Sequence, residues 1–171
     1  MQGINILLID DDENLFIIYE KLLKQKINIP FTFDHINTAE KIEDMILSKK
    51  YDIIILDQKL NNGNKGLDFL PMIKKNNIYT YVIINSAYGN ENLAIEAIRN
   101  GADDYVMGNK ENNEEFIKVI KKAIKSTKKL HIIENISESF NKFNTDLEKK
   151  SENKVIETKK DIKTFSRSRI S

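Results

Sequence analysis

The stretch Tyr51–Leu60, with the sequence YDIIILDQKL, decides how this chain folds. Its first part, Tyr51–Leu56, is short, apolar and rich in β-branched residues, a pattern typical of a strand buried on both faces of a parallel sheet. Asp57 follows directly, and a loop rich in Gly and Asn comes next. In parallel sheets flanked by helices, ligands bind beyond the carboxyl ends of the strands. The residues just after each strand are therefore the candidates for function.

Four more segments have the composition of strands, and each is followed by a segment with helical spacing. The strands are predicted at Ile4–Ile9, Phe31–Ile36, Tyr81–Asn85 and Asp104–Met107. Five helices are predicted. The first spans residues 14–26, the second begins after Thr38 as its cap, the third and fourth span residues 66–76 and 90–100, and the fifth begins at about Asn113. In the fourth helix, which Gly101 ends, the residues expected to face inward are Leu93, Ala94, Ala97 and Ile98. This alternation predicts an α/β fold with a five-stranded parallel sheet in the flavodoxin-like order 2-1-3-4-5 and helices on both faces.

Carboxylates follow two strands that this order makes neighbours. Asp10 and Asp11 come after the first strand, and Asp57 comes after the third. Carboxylates this close repel each other, and their pKa values rise unless a cation joins them. A set of oxygen ligands without histidine suits Mg²⁺, which takes one or two carboxylates together with water and phosphate oxygens. The sequence therefore predicts a Mg²⁺ site that binds a phosphate, with the Ser86 hydroxyl after the fourth strand as a hydrogen-bond donor to it.

The composition argues against several other classes of protein. Hydrophobic residues make up 40% of the 171 residues and charged residues 31%, so a folded core is expected. The chain has no Cys and only two His, which excludes disulfides and thiolate sites and argues against a histidine metal cluster. No apolar run approaches the roughly 20 residues of a membrane helix, so we expect a soluble, cytoplasmic protein without a membrane partner.

Five separated segments resemble the receiver domain of response regulators in two-component signalling. The segments are LLIDDDEN at Leu7–Asn14, YDIIILDQKL at Tyr51–Leu60, the pair Gly66 and Leu67, NSA at Asn85–Ala87, and NGADDYVM at Asn100–Met107. They occur in order, at the spacing of that family, over about residues 3–125.

The resemblance implies a role for each matching position. Asp57 matches the aspartate that accepts a phosphoryl group from a histidine kinase or a phosphotransfer protein, and Asp10 and Asp11 match the acidic pair that holds Mg²⁺ with it. Four further positions match in the same way: the Lys59 backbone carbonyl binds the metal, Ser86 and Ala87 contact the phosphoryl group, and Tyr105 is the aromatic switch residue. Such a protein is not an enzyme beyond the chemistry of its own phosphorylation and dephosphorylation, and it acts through a downstream protein target.

The chain departs from the family pattern after the fifth strand. Gly108 stands where the family usually has Lys, and Asn109 stands where Pro commonly follows. Lys110 is the candidate substitute, because Gly108 allows the chain to bend back. The loop after Asp57 also lacks the usual Pro and is one residue longer. We therefore predict that Asp57 is phosphorylated but that the coupling to conformational change is weak, and that Gly108→Lys strengthens this coupling.

Other interpretations of the chain remain open. A pseudo-receiver, an interaction module with the same fold but no productive phosphorylation, is favoured by the missing Lys. It is opposed by the intact set of Asp10, Asp11, Asp57 and Ser86. A phosphatase of the haloacid dehalogenase type is a weak alternative, because it needs an Asp where Lys59 stands. Residues 126–171 are too few and too polar for a DNA-binding output domain, which leaves a single-domain regulator or the front part of a longer one.

An amphipathic segment follows the predicted receiver domain, which spans residues 1–125. No Pro or Gly occurs between Glu111 and Ser171, so the last helix is predicted to run to about Lys149. Its apolar stripe has three- and four-residue steps and includes Ile133, Ile136, Phe140, Phe143 and Leu147. Folding back, docking on another protein and pairing in a homodimer are open, and we favour pairing through this extension, residues 126–150. The basic tail, residues 151–171, is expected to fray or to be ordered by a partner, with nucleic acid a poor candidate.

Overall fold

Five parallel strands form the centre of the molecule. The computed structural model describes residues 3–87, 91–108 and 113–167. The strands are β1 (Ile4–Ile9), β2 (Phe31–Ile36), β3 (Ile53–Asp57), β4 (Tyr81–Ser86) and β5 (Asp104–Met107). They pair in the order β2-β1-β3-β4-β5, so the predicted topology is confirmed. Because β1 lies between β2 and β3, the residues that end β1 and β3 are neighbours at one edge of the sheet.

The helices alternate with the strands along the chain. They are α1 (Glu13–Lys26), α2 (Ile42–Ser48), α3 (Leu70–Asn76), α4 (Glu91–Arg99) and α5 (Asn113–Arg167). The side chain of Asp12 caps α1 by accepting the N–H of Asn14 at 2.9 Å. Thr38 makes no such bond, so its predicted capping role is wrong; a turn of 3₁₀ helix at Ala39–Lys41 tightens the entry to α2 instead.

Two apolar layers hold the helices to the sheet, since alternate residues of a strand face opposite sides. On one face Leu8 and Ile55 pack with Tyr19 of α1 and Phe116 of α5. On the other face Ile54 and its neighbours pack with residues of α2, α3 and α4. Burying each such aliphatic side chain contributes about 1.5–3 kcal/mol, so the strands are fixed from both sides and their ends are held in place.

Helix α4 differs from its prediction at one position. Ala97 is fully buried, but Ile98, which was expected to face inward, is 50% exposed. The helix ends as predicted at Gly101, whose φ of 101° is unfavourable for any residue with a side chain.

Helix α5 continues well past the predicted end near Lys149 and reaches Arg167, so that boundary is wrong. The sequence contains no Pro or Gly there to interrupt it. The compact unit that holds the sheet ends at Lys129 and a second unit begins at Leu130. Thr127 is still buried, which places the last packed turn of the first unit beyond residue 125. The three-part division of the chain at residues 125 and 150 stays a prediction.

The second unit is a helix whose apolar side chains are exposed. The members of the predicted stripe are each about half exposed or more: Ile133, Ile136, Phe140, Phe143 and Leu147. Among the helices in the described part of the chain, none is both long and apolar enough to cross a bilayer.

Candidate functional site

Three carboxylates meet at the carboxyl ends of β1 and β3. Asp10, Asp11 and Asp57 each offer an oxygen, and these oxygens lie within 4.8 Å of one another. Asp10 is buried, Asp57 is partly buried and Asp11 is exposed, so the cluster opens to solvent on one side. The structure therefore brings together the three acidic residues that the strand order predicted to converge.

Backbone contacts fix Asp10 in this cluster. Its N–H donates to the carbonyl of Ile36 at 3.0 Å, and its Oδ1 accepts the N–H of Asp12 at 2.9 Å. The ring nitrogen Nε2 of His35 lies 2.8 Å from the Asp10 carbonyl oxygen. Burial raises the pKa of the Asp10 carboxyl to about 6; the Asp12 N–H opposes the increase, and the charge of Asp11 adds to it.

A glycine allows the loop after β3 to pack directly against the backbone of Asp57. Gly66 donates its N–H to the carbonyl oxygen of Gln58 at 3.0 Å. A Cβ at Gly66 would collide with the backbone carbonyl of Asp57, so only glycine fits there. Burial, and next the negative charge of Asp10, raise the pKa of Asp57 to about 7. The N–H groups of Lys59 and Gln58 act in the opposite direction, which places the Lys59 backbone beside the carboxylate.

These residues fit a hard divalent cation. Both Asp10 and Asp57 have raised pKa values because their charges are partly buried close together. A cation would favour the ionised form of both, and a set made only of carboxylate and carbonyl oxygens matches the preference of Mg²⁺. Asp10, Asp11 and Asp57, with the carbonyl of Lys59, are the groups that would hold it.

The Ser86 hydroxyl has a partner other than the carboxylate cluster. Ser86 ends β4, is 3% exposed and donates to Oε1 of Gln58 at 2.8 Å. Ala87 follows in an exposed turn. The sequence identified Ser86 as a candidate but gave no role to Gln58, whose polar side chain directly after Asp57 was the available signal.

Tyr105 lies on β5, on the sheet face that α2, α3 and α4 cover. Its ring packs partly buried against that apolar layer. Its hydroxyl is buried and has no hydrogen-bond partner among the described residues, an arrangement that costs stability. Its role as a switch residue stays a prediction. Lys110, the candidate substitute for the missing Lys, lies outside the described residues.

The space at Gly108 is filled by Asn85. A Cβ on Gly108 would come within 2.6 Å of both Cγ and Nδ2 of Asn85 and still closer to Oδ1. Gly108→Lys alone therefore requires the Asn85 carboxamide to shift. This clash opposes the expectation that the substitution strengthens the response, which stays a prediction. The sequence held one signal for this: the polar Asn85 follows three aliphatic residues in the segment YVIIN.

Comparison with known proteins identifies the family. Residues 6–128 match the family model described as the response regulator receiver domain. The chain belongs to this family. The receiver domain is also 33% identical over 129 residues to an NtrX-like response regulator of Rickettsia bellii. It is 34% identical over 103 residues to the response regulator ArlR of Staphylococcus epidermidis.

Solved structures agree with this membership. The signal receiver domain of a LuxO repressor protein from Vibrio parahaemolyticus matches with a TM-score of 0.69 and 30% identity, covering 77% of this chain and 98% of that one. NtrX from Brucella abortus, with 23% identity and a TM-score of 0.67, shares the fold over 79% of this chain.

The match to the longer relatives is partial. The alignment covers 75% of this chain but 26% of the Rickettsia protein, and 60% of this chain but 45% of ArlR. The likeness therefore concerns the receiver domain and not the remaining parts of those proteins.

Proposed function

We propose that this receiver domain accepts a phosphoryl group on Asp57 from a histidine kinase or a phosphotransfer protein, in a reaction that depends on Mg²⁺. The observation that carries the proposal is the group of three carboxylates whose oxygens lie within 4.8 Å of one another. Burial, and after it the charges of neighbouring carboxylates, raise the pKa values of Asp10 and Asp57, and a bound cation would oppose this increase.

In the transfer, one oxygen of the ionised Asp57 attacks phosphorus. A bond forms between that oxygen and phosphorus, and the bond from phosphorus to the donor nitrogen breaks, with the electron pair leaving on the nitrogen. Bound Mg²⁺ would supply charge neutralisation on the phosphoryl oxygens. Asp57 must be ionised to act, so without a cation its pKa of about 7 limits the reactive fraction near neutral pH.

Residues near Asp57 are expected to contact the phosphorylated form. We expect Ser86, at the end of β4, and the backbone of Ala87 to contact the phosphoryl group once the Ser86 hydroxyl leaves Gln58. Tyr105 is expected to move inward when the Ser86 hydroxyl turns toward the phosphoryl group. We assign no catalytic activity to the protein beyond formation and loss of its own acyl phosphate, we place it in the cytoplasm, and we expect output through protein contacts rather than nucleic acid.

The rival function is a pseudo-receiver that binds partners without productive phosphorylation. The observation in its favour is the neutral Asn85 side chain in the space beside Gly108, where the family usually has a cation. Labelling of the protein separates the two functions.

The test is incubation with radiolabelled acetyl phosphate and Mg²⁺, with Asp57→Asn as the variant. We expect labelling of the parent protein, none of Asp57→Asn, and none of the parent when EDTA replaces Mg²⁺. Asp68→Asn, an exposed Asp in the turn before α3, is the matched control and should label normally. Parental labelling of Asp57→Asn would contradict the assignment, and an unlabelled parent would favour the pseudo-receiver.

The proposed partner of the extended helix is a second copy of this chain. Ile133, Phe140 and Leu147 are one heptad apart, and Ile136 and Phe143 form a second line at the alternate position. All five are exposed in the chain by itself. The stripe extends over little more than two heptads, so a dimer of modest stability is expected.

The charge pattern supports self-pairing. Four of the five residues that flank the stripe between 137 and 151 are uncharged and the fifth is an aspartate: Ser137, Ser139, Asn144, Asp146 and Ser151. Five charged residues occupy the outer positions of the heptad, namely Glu134, Glu138, Lys142, Glu148 and Lys149, whereas Lys150 continues the line of Ile136 and Phe143. Two identical helices can therefore meet along the stripe with little like-charge repulsion.

A further inference from the structure

The residue after β5 lacks a side chain for a steric reason. Gly108 donates its N–H to the carbonyl oxygen of Ser86 at 3.0 Å, which holds its backbone against the end of β4. A Cβ at this position would come within 2.6 Å of the Cγ and Nδ2 atoms of Asn85, closer than real Cβ atoms approach other heavy atoms. Asn85 and residue 108 therefore compete for one space, and Asn85 occupies it.

Asn85 is held in that space by Tyr19. The carboxamide is 2% exposed, and its Oδ1 accepts the hydroxyl of Tyr19 at 3.2 Å. Tyr19 is itself 2% exposed, and its ring stacks on Phe116 with centroids 3.7 Å apart and planes 9° from parallel. Because α1 and α5 fix the ring, the hydroxyl is fixed as well, and it holds the oxygen side of the carboxamide.

Asn85 is next to the predicted phosphoacceptor. Asp57 and Asn85 are register partners on the neighbouring strands β3 and β4. Partners on adjacent parallel strands point to the same face, and the strands are about 4.8 Å apart. With Oδ1 bound to Tyr19, the group that the carboxamide can still offer is the Nδ2 donor. The charges of Asp10 and Asp57 also contribute to a raised pKa of Tyr19, after the larger effect of burial, which agrees with this proximity.

We propose that Asn85, oriented by Tyr19 and accommodated by Gly108, donates a hydrogen bond from Nδ2 to the phosphoryl group on Asp57, in the place of a cation from the end of β5. This role rests on the proposed phosphorylation of Asp57. A neutral donor stabilises a phosphoryl anion less than a paired cation does. Relative to the family pattern, Asn85 and Gly108 thus act together: they replace a charged contact to the phosphoryl group by a neutral one.

The steric part is tested by unfolding, which does not depend on phosphorylation. Gly108→Ala should lower the midpoint of thermal unfolding in the parent protein but have little effect when Asn85→Ala is also present. The matched control is Thr80→Ala, which removes a buried polar group at the opposite end of β4, bonded to the Tyr51 carbonyl at 2.8 Å. The effects of Gly108→Ala and Thr80→Ala on the midpoint of thermal unfolding should be additive. Additive effects for Asn85→Ala and Gly108→Ala as well would overturn the proposal.

The donor part is tested by the rate of labelling with acetyl phosphate. Asn85→Ala should slow the labelling of Asp57 by about tenfold, the loss expected for a hydrogen bond to a charged group. Adding Gly108→Lys to Asn85→Ala should recover the rate, whereas Gly108→Lys alone should not increase it. Tyr19→Phe keeps the stacked ring and should give an intermediate rate.

The two failures are distinguishable. If Asn85→Ala labels at the parental rate, or Gly108→Lys alone matches the double variant, the donor role is wrong while Asp57 remains the phosphoacceptor. If the parent protein is not labelled, the proposed phosphorylation and the donor role are both overturned, and the unfolding measurements still decide whether Asn85 and Gly108 share one space.

Discussion

The hydroxyl of Ser86 donates to Oε1 of Gln58 at 2.8 Å, so the side chain directly after Asp57 holds the hydroxyl expected to contact a phosphoryl group. Both side chains lie at neighbouring strand ends, Gln58 after β3 and Ser86 at the end of β4. Ser86 must leave this bond before it can contact a phosphoryl oxygen. The unphosphorylated arrangement is therefore stabilised by about 0.5–1.5 kcal/mol, the usual net contribution of one hydrogen bond.

The first prediction concerns Gln58. Gln58→Ala removes the competing acceptor, so Ser86 is free to turn, and the affinity for beryllofluoride, a phosphoryl mimic, should rise about two- to tenfold. Binding is measured by titration in the presence of Mg²⁺. Gln25→Ala, an exposed glutamine on α1, is the matched control and should leave the affinity unchanged. Equal affinities of parent and Gln58→Ala would show that the bond does not restrain Ser86.

The second prediction concerns pH. In the folded protein the pKa of Asp57 is about 7, against 3.8 ordinarily, so between these values the folded state binds more protons than the unfolded state. The contribution of Asp57 to stability is therefore largest below pH 4 and is lost as the pH rises to about 7. Asp57→Asn does not titrate, so its free energy of unfolding should exceed that of the metal-free parent by about 1–2 kcal/mol at pH 8, after allowance for solvent screening.

Denaturant unfolding in EDTA at several pH values measures this difference. The gap between Asp57→Asn and the parent should open between about pH 4 and pH 7 and then stay constant. A difference in the free energy of unfolding that is independent of pH would mean that the fold does not destabilise the ionised form of Asp57.

The third prediction concerns the cation. Mg²⁺ should raise the midpoint of thermal unfolding at pH 8 and have a much smaller effect at pH 5, because protonated carboxyls do not bind it. Asp11→Asn should weaken this effect strongly, since Asp11 is an exposed member of the cluster. Asp12→Asn is the matched control: Asp12 is outside the cluster and caps α1, a role that Asn also fulfils. An unchanged response of Asp11→Asn would remove this residue from the metal site.

The fourth prediction concerns the extended helix. The whole chain should sediment as a dimer that dissociates on dilution, and a chain ending at Lys129 should be a folded monomer. The double variant Phe140→Ser with Phe143→Ser removes two members of the exposed stripe and should abolish the dimer. Asn141→Ser with Thr145→Ser changes the outer positions of the same turns and should leave it intact. A monomeric whole chain would contradict pairing with a second copy.

The sequence by itself determined the sheet and the acidic cluster. Apolar β-branched runs separated by helical spacing admit few parallel topologies, and a parallel sheet necessarily places Asp10, Asp11 and Asp57 at one edge. The elements follow from periodicity, which is a local property of the chain, and the strand order follows from the few topologies that right-handed connections allow. The same local reasoning was wrong about the inward position of Ile98, which depends on how α4 is rotated against the sheet. It was also wrong about the cap at Thr38, where a 3₁₀ turn precedes the helix and the side chain makes no capping hydrogen bond.

Only the tertiary structure decided which side chains share a space. Tyr19, Asn85 and Gly108 lie far apart in the sequence, and their relation is a matter of a hydrogen bond and of a missing Cβ. The sequence showed that a Lys was missing at Gly108 and suggested that it could be restored. The fold shows that Asn85 occupies that volume: a Cβ on Gly108 would come within 2.6 Å of Cγ and Nδ2 of Asn85, and two side chains in a close-packed interior cannot share one space.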